Sequence, residues 1–248
     1  YSDRIHHVLT RHEQGATHMA DGYDRSSGRV GVALATSGPG AANMVSGLAT
    51  ARMDSVPIVG ITGQVHRRAM GSDALQEMDI SGAVIPVTKH SYLVMDIKDL
   101  AKTIKEAFVI ARSGRPGPVL VDIPKDLQAE EFDFIYPEEP ILLPGDNPIK
   151  NDINTKSLEE AAKLIANAER PVILAGHGIL LSGASKEVIE LSEKGDIPLS
   201  WTLLGSGAVP ASHNLNMGMM GMHGECDANK DSQKAALLSA CGMRFAYR

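Results

Sequence analysis

Short apolar runs that alternate with helical periodicity constrain this chain more than any other feature. In order they are "VGVALAT" (30–36), a helix over about 40–53, "VPIVGITG" (56–63), a helix over about 98–112, and "PVLVDIP" (118–124). Strand-length runs separated by helix-length connections predict an α/β fold with a mainly parallel sheet. Within 98–112, Leu100, Ile104, Ala107, Phe108 and Ala111 share one face, as a helix lying on a sheet requires. Between about 129 and 154 the chain mixes acids with four prolines and loses periodicity, which leaves backbone for water to satisfy and predicts an interdomain linker over 131–154. A second α/β pattern follows: a helix at about 156–168, "PVILAGHG" (171–178), a helix at about 184–194, "IPLSWTLLGSG" (197–207), and a last helix and strand up to "GMRF" (242–245). We therefore expect two doubly wound parallel-sheet domains, 1–130 and 155–248.

Charge narrows the function. Thirty Asp and Glu against 24 Lys and Arg leave a net charge of −6, with no dense basic cluster to hold a nucleic acid or an anionic membrane. A small-molecule ligand is the expectation. Cys226 and Cys241 lack metal-ligand spacing, and no signal peptide or long apolar run is visible, so a reducing, soluble, cytoplasmic setting is the default. The chain opens on Tyr1 rather than Met and stops at Arg248 just after "ALLSACGMRF", so both ends read as cut.

Glu13 has two readings. With Thr10 it forms T-x-x-E, a capping box in which each side chain satisfies an orphan helix N–H. Around it, Gly15, Ala16, Met19, Ala20 and Tyr23 make a slim helix face that another chain or a flat ligand could approach closely. A carboxyl there would be poorly hydrated, and desolvation would raise its pKa until it could hold and pass a proton near neutrality. Other segments carry similar pairs of readings. "TSGPGAAN" (36–43) follows a strand and opens a helix, exposing backbone N–H groups to an anion or a flat ring, although it is not G-x-G-x-x-G. "GSDALQEMDI" (71–80) breaks the α/β rhythm as a site-bearing loop does, and the Gln76 amide there can donate to a substrate carbonyl or carboxylate. Arg115 and Lys125 bracket a strand. In "MGMMGMHG" (217–224) the methionines suit core filling, whereas Gly218, Gly221 and Gly224 suit close approach to something flat.

Five strings, "RHEQGATHMADGYDR", "TSGPGAANMVSGLATA", "GITGQV", "GSDALQEMDI" and "GRPGPVLVDIPKDLQ", stand in the order and spacing of acetolactate synthase catalytic subunits, and the likeness spans nearly the whole chain. The chain thus resembles that branch of the thiamine-diphosphate enzymes. The resemblance implies a transferase that decarboxylates pyruvate and joins the product to a second 2-oxo acid, pyruvate or 2-oxobutyrate, in branched-chain amino acid biosynthesis. It implies that Glu13 is the proton relay on the cofactor's aminopyrimidine, that Pro39, Gly40 and Asn43 contact the same ring, that Gln76 and Lys125 serve the substrate, and that Arg115 reaches FAD. It places FAD, in a structural role, on Gly176, Gly178, Thr202, Leu203, Met222, His223, Gly242 and Arg244. Thiamine diphosphate also implies Mg²⁺, whose "GDG" and "NN" motifs are not in these 248 residues, so no metal ligand is expected here and the chain alone is expected to be inactive. A homo-oligomer with its site between subunits and a small regulatory subunit are the implied partners. Leu75 stands where the family usually has Phe, and "RFAYR" replaces "RFDDR", with Ala246 and Tyr247 in place of two aspartates. Pyruvate oxidase, glyoxylate carboligase and a non-catalytic flavin- or partner-binding homologue are the alternatives.

Overall fold

The computed structural model describes residues 5–142 and 153–245. Residues 143–152 of the expected linker, and Ala246 and Tyr247, lie outside the described residues. The chain divides into two compact units, Tyr1–Asn147 and Pro148–Arg248.

The first unit runs α1 (Glu13–Ser27), β1 (Gly31–Ala35), α2 (Pro39–Asp54), β2 (Ile58–Gln64), α3 (Ile80–Ala83), β3 (His90–Leu93), α4 (Ile97–Arg112) and β4 (Val119–Pro124). Its strands are all parallel, in the order β1-β2-β4-β3. Strand alternation sorts the apolar side chains into two layers. Ile58 and Leu120 join Met44 and Leu48 of α2 and Ala20 of α1 on one face. Val59, Val119, Val121 and Ile123 join Ala107 and Ala111 of α4 on the other, with Leu100, Ile104 and Phe108 packed partly buried against them. The expected face of the helix at 98–112 therefore does lie on the sheet.

The second unit runs α5 (Thr155–Asn167), β5 (Pro171–Ala175), α6 (His177–Ser182), α7 (Ser185–Gly195), β6 (Leu199–Trp201), β7 (Asn216–Met219), α8 (Cys226–Lys234) and β8 (Leu237–Cys241). Its parallel order is β7-β6-β5-β8, so the winding reverses between β5 and β8, the crevice where doubly wound sheets bind ligands.

Several local expectations change. β3, "HSYL", carries no apolar run because it is a half-exposed edge strand. The run at 197–207 gives only three strand residues before Leu203–Gly205 turns into a 3₁₀ helix. The methionine-glycine segment supplies β7 and the turn after it. The acidic, proline-rich segment does not leave all its backbone to water: Lys105 Nζ donates to the carbonyls of Pro137, Glu138 and Glu139 and sits 5.5 Å from the Tyr136 ring centroid.

Glycine sets how closely α1 approaches its neighbours. A Cβ on Gly47 would overlap Thr17 Oγ1 and Cβ, and one on Gly31 would overlap the Ala20 carbonyl. Gly47→Ala would ordinarily stabilise a helix interior by up to about 1 kcal/mol. Here it should instead destabilise by about 2 kcal/mol, in the range of other overpacked cores, measured by denaturant unfolding.

One buried group departs from the apolar pattern. Asp122 on β4 is 1% exposed, accepting from Thr62 Oγ1 at 2.7 Å and from Gln64 Nε2 at 2.9 Å. Burial pushes its carboxyl up to about 6 despite those two hydrogen bonds, and the Asp79 charge adds to the rise. Because the folded-state pKa lies above the unfolded one, the folded state holds the proton more tightly, and stability falls as pH rises from about 4 to about 6. The displacement is worth about 3 kcal/mol. Asp122→Asn can keep both contacts by donating to Thr62 Oγ1 and accepting from Gln64. Its stability relative to the parent should therefore grow by about 3 kcal/mol between pH 4 and pH 7 in urea titrations at each pH.

Candidate active site

Glu13 is the first residue of α1, and the residue before it is the cap. His12 has extended backbone (φ −154°, ψ 138°), and its Nδ1 accepts from the Gln14 N–H at 3.1 Å. Thr10 Oγ1 donates to the His12 carbonyl at 3.2 Å instead. The expected Thr10–Glu13 capping box is thus not formed, because the helix begins only at Glu13 and His12 takes the cap position. Released from capping, the Glu13 carboxylate faces α2. Its Oε2 accepts from Asn43 Nδ2 at 3.1 Å, and Oε1 lies 3.4 Å from where a Cβ on Gly40 would stand.

The charge state also corrects the expectation. The Glu13 carboxyl is held below the usual carboxylate range, first by its own backbone N–H, then by Asn43, with a smaller contribution from His12. The group is only partly buried, so desolvation is too weak to reverse those hydrogen bonds. At neutral pH it is an anionic acceptor, suited to a ring nitrogen that carries or receives a proton.

The turn between β1 and α2 completes this corner. Gly38 has φ 62° and no capping side chain, and Pro39 takes the first helical position, where its missing N–H costs nothing. A Cβ on Gly38 would stand 2.7 Å from the Gln76 carbonyl oxygen and 2.9 Å from Gln76 Cα. The 71–79 loop therefore lies directly on the turn. The Glu77 carboxylate folds that loop by accepting from the N–H groups of Gly71 and Ala74, and Asp79 caps α3 by accepting from the Gly82 N–H at 2.8 Å. Gln76 is exposed at φ 65°, the left-handed region that side-chain-bearing residues disfavour, and Leu75 is 92% exposed. Glu13, Pro39, Gly40, Asn43 and Gln76 are thus brought together at the carboxyl end of β1.

Lys125 follows β4 with an exposed side chain, its N–H donating to the Gln64 carbonyl at 3.0 Å, so it shares that edge of the sheet. Arg115 does not. It precedes β4 and caps the far end of α2, donating to Ser55 Oγ at 2.8 Å and to the carbonyl of Arg52 at 2.7 Å. A strand of this length, about 20 Å, separates it from the Glu13 corner.

In the second unit the eight candidate residues all follow strand ends. Gly176 and Gly178 come after β5, Thr202 and Leu203 after β6, Met222 and His223 after β7, and Gly242 and Arg244 after β8. The glycines are used against each other: the N–H of Gly176 donates to the Cys241 carbonyl and that of Gly178 to the Gly242 carbonyl, both at 2.9 Å. A Cβ on Gly178 would stand 2.8 Å from Gly242 Cα. Those N–H groups are not on offer to a ligand. Leu203 (71%), Met222 (87%), His223 and Arg244 are exposed, and the first two offer apolar surface suited to a flat ring.

Two residues near the first corner escaped the sequence reading, Gln64 and Asp122. A carboxylate inside the otherwise apolar "PVLVDIP" was the available signal, since ionisable groups are rarely buried without a partner. Among the described residues no group of three or more His, Cys, Asp or Glu side chains is placed to hold a metal ion, and no helix is long and apolar enough to cross a membrane.

Comparison with known proteins fits this geometry. The thiamine pyrophosphate enzyme N-terminal TPP-binding domain matches residues 1–83, and the thiamine pyrophosphate enzyme central domain matches residues 158–248. The acetolactate synthase large subunit of Corynebacterium glutamicum is 49% identical over 244 residues, 98% of this chain and 39% of that protein. The acetolactate synthase of Arthrospira platensis is 49% identical over 246 residues (97% and 42%), and the probable acetolactate synthase large subunit of Methanocaldococcus jannaschii is 47% identical over 250 residues (100% and 42%). The chain spans about two fifths of the length of these curated relatives. With both domain models matched in order, and relatives aligned along nearly all of its residues, the chain belongs to the thiamine pyrophosphate enzyme family.

Proposed function

We propose that this chain carries the pyrimidine-binding half-site and the flavin-binding middle domain of an acetolactate synthase catalytic subunit. The observation that carries the reading is the Glu13 carboxylate, held by Asn43 beside the bare Cα of Gly40 at the carboxyl end of β1. Identity near 50% to acetolactate synthases along nearly the whole chain supports the choice of branch. Thiamine diphosphate, when bound, supplies a nucleophilic carbon that takes up a 2-oxo acid, releases carbon dioxide and joins the remainder to a second 2-oxo acid.

The residues divide the work by position. Glu13 exchanges one proton with the aminopyrimidine ring nitrogen, and Asn43 keeps the carboxylate aimed while favouring its ionised form. Pro39 and Gly40 form the wall beside that ring, where any side chain on residue 40 would press on Thr36. Gln76 offers its amide to the carbonyl or carboxylate of the 2-oxo acid, and Lys125 attracts the acid's negative charge to the same edge. Arg115, Thr202, Leu203, Met222, His223 and Arg244 are the residues assigned to FAD, and Mg²⁺ falls to motifs outside this chain. Pyruvate and 2-oxobutyrate are the proposed substrates, with a homo-oligomer and a small regulatory subunit as the proposed partners.

Glu13→Gln in the full-length subunit keeps the shape and the exposure but cannot exchange the proton. It should lower kcat by about 10²–10⁴-fold with Tm unchanged; a loss of Tm alone would reduce Glu13 to a structural residue. Product analysis of the parent on pyruvate should give acetolactate. Peroxide from pyruvate, or tartronate semialdehyde from glyoxylate, would instead place it with another branch of the family.

A further inference from the structure

Gln64 ends β2 with its side chain 7% exposed and every polar atom engaged. One hydrogen of Nε2 goes to Asp122 Oδ2 at 2.9 Å and the other to the Met78 carbonyl at 2.8 Å, while Oε1 accepts from the Val65 N–H at 2.9 Å. Asp122 is fixed in turn by Thr62, itself 1% exposed. The chain Thr62–Asp122–Gln64–Met78 therefore runs from the sheet interior to the backbone of the 71–79 loop with no free rotor in it. Hydrogen bonds to a carboxylate are stronger and more directional than neutral ones, and a fully satisfied buried network of this kind specifies one arrangement.

The loop end it holds is the one that matters for Gln76. Met78 lies two residues after Gln76 and one before Asp79, the cap of α3. The Glu77 carboxylate closes the loop on itself through Gly71 and Ala74, but that contact is internal and does not attach the loop to the sheet. Gln64 supplies the hydrogen-bonded attachment, beside the packing of the Met78 side chain against the core that holds Met44, Leu48 and Ile58. On the opposite side the Gln76 backbone rests on the bare Cα of Gly38, and Gln76 keeps a left-handed φ of 65° that nothing in its own side chain favours. A buried carboxylate is an expensive way to fill space between strands, since an apolar residue would do so without desolvation.

We propose that Gln64, aimed by Asp122, is a positioning residue that fastens the Gln76 loop over the Gly38 turn and so sets the affinity for the 2-oxo acid. The affinity clause rests on the acetolactate synthase reading, whereas the fastening does not.

The test uses the full-length subunit with its cofactors. Gln64→Met keeps the volume and removes both donors. Amide hydrogen exchange of residues 71–79 should speed up by about tenfold while the strands are unchanged, and KM for pyruvate should rise by about tenfold with kcat within about threefold. The double variant Gln64→Met, Asp122→Asn removes the buried charge along with the donors, and serves if the single variant fails to fold. Asp122→Asn alone still accepts from Gln64 but gives up the charge, so it should speed exchange and raise KM by less than Gln64→Met does. Unchanged exchange at 71–79 in both Gln64→Met variants overturns the fastening. A freed loop with an unchanged KM overturns the role in substrate affinity. A parent inactive on pyruvate counts against the acetolactate synthase reading, and the exchange measurement still decides the fastening.

Discussion

The first unit depends on how closely two helices can cross. Thr17 of α1 occupies the space a side chain on Gly47 of α2 would need, and the Ala20 backbone does the same over Gly31 of β1. That approach, one turn beyond Glu13 on α1 and one turn beyond Asn43 on α2, is what allows their side chains to meet at 3.1 Å. The core beneath is packed to the limit, with Met44, Leu48 and Ile58 fully buried. Packed interiors of this density do not give by fractions of an ångström without cost, so the separation of the two functional side chains is inherited from small-residue packing rather than from the side chains themselves.

The sheet then separates tasks between its two ends. At the carboxyl ends of β1, β2 and β4 lie Glu13, the Gly38 turn, the Gln76 loop and Lys125, the region where parallel α/β sheets place ligands. At the opposite end Arg115 and Lys89 are spent on backbone carbonyls, Arg115 on the last turn of α2 and Lys89 on the carbonyls of Ile110 and Ser113 at the end of α4. Cations there complement the negative ends of the helix dipoles. In the second unit the same carboxyl edge is assembled from backbone: Gly176, Gly178 and Gly242 approach one another so closely that none tolerates a side chain, while Leu203 after β6 and Met222 after β7 stand exposed.

Much of the fold was readable in the sequence because β2, β4 and β5 are buried on both faces and write themselves as continuous apolar runs. β3 escaped because an edge strand with half-exposed residues has no such signature. The T-x-x-E pattern misled at Glu13, since it names residues able to cap and not the direction from which the chain enters the helix. The pKa direction differs from the expectation because hydrogen bonds outweigh desolvation: first that of Glu13's own backbone N–H at the helix start, then that of Asn43, thirty residues away and in no local window.

The sequence by itself determined the α/β class, the two sheets and the family, because hydrophobic periodicity and short motif strings are local properties that survive without coordinates. Only the tertiary structure decided that His12 caps α1, that Glu13 faces Asn43 as an anion, that Arg115 sits at the far end of the sheet, and that Gln64 joins Asp122 to the loop of Gln76. Each of those depends on distances between residues remote in the chain. Such distances follow from how closely helices and strands can pack, which no single segment encodes.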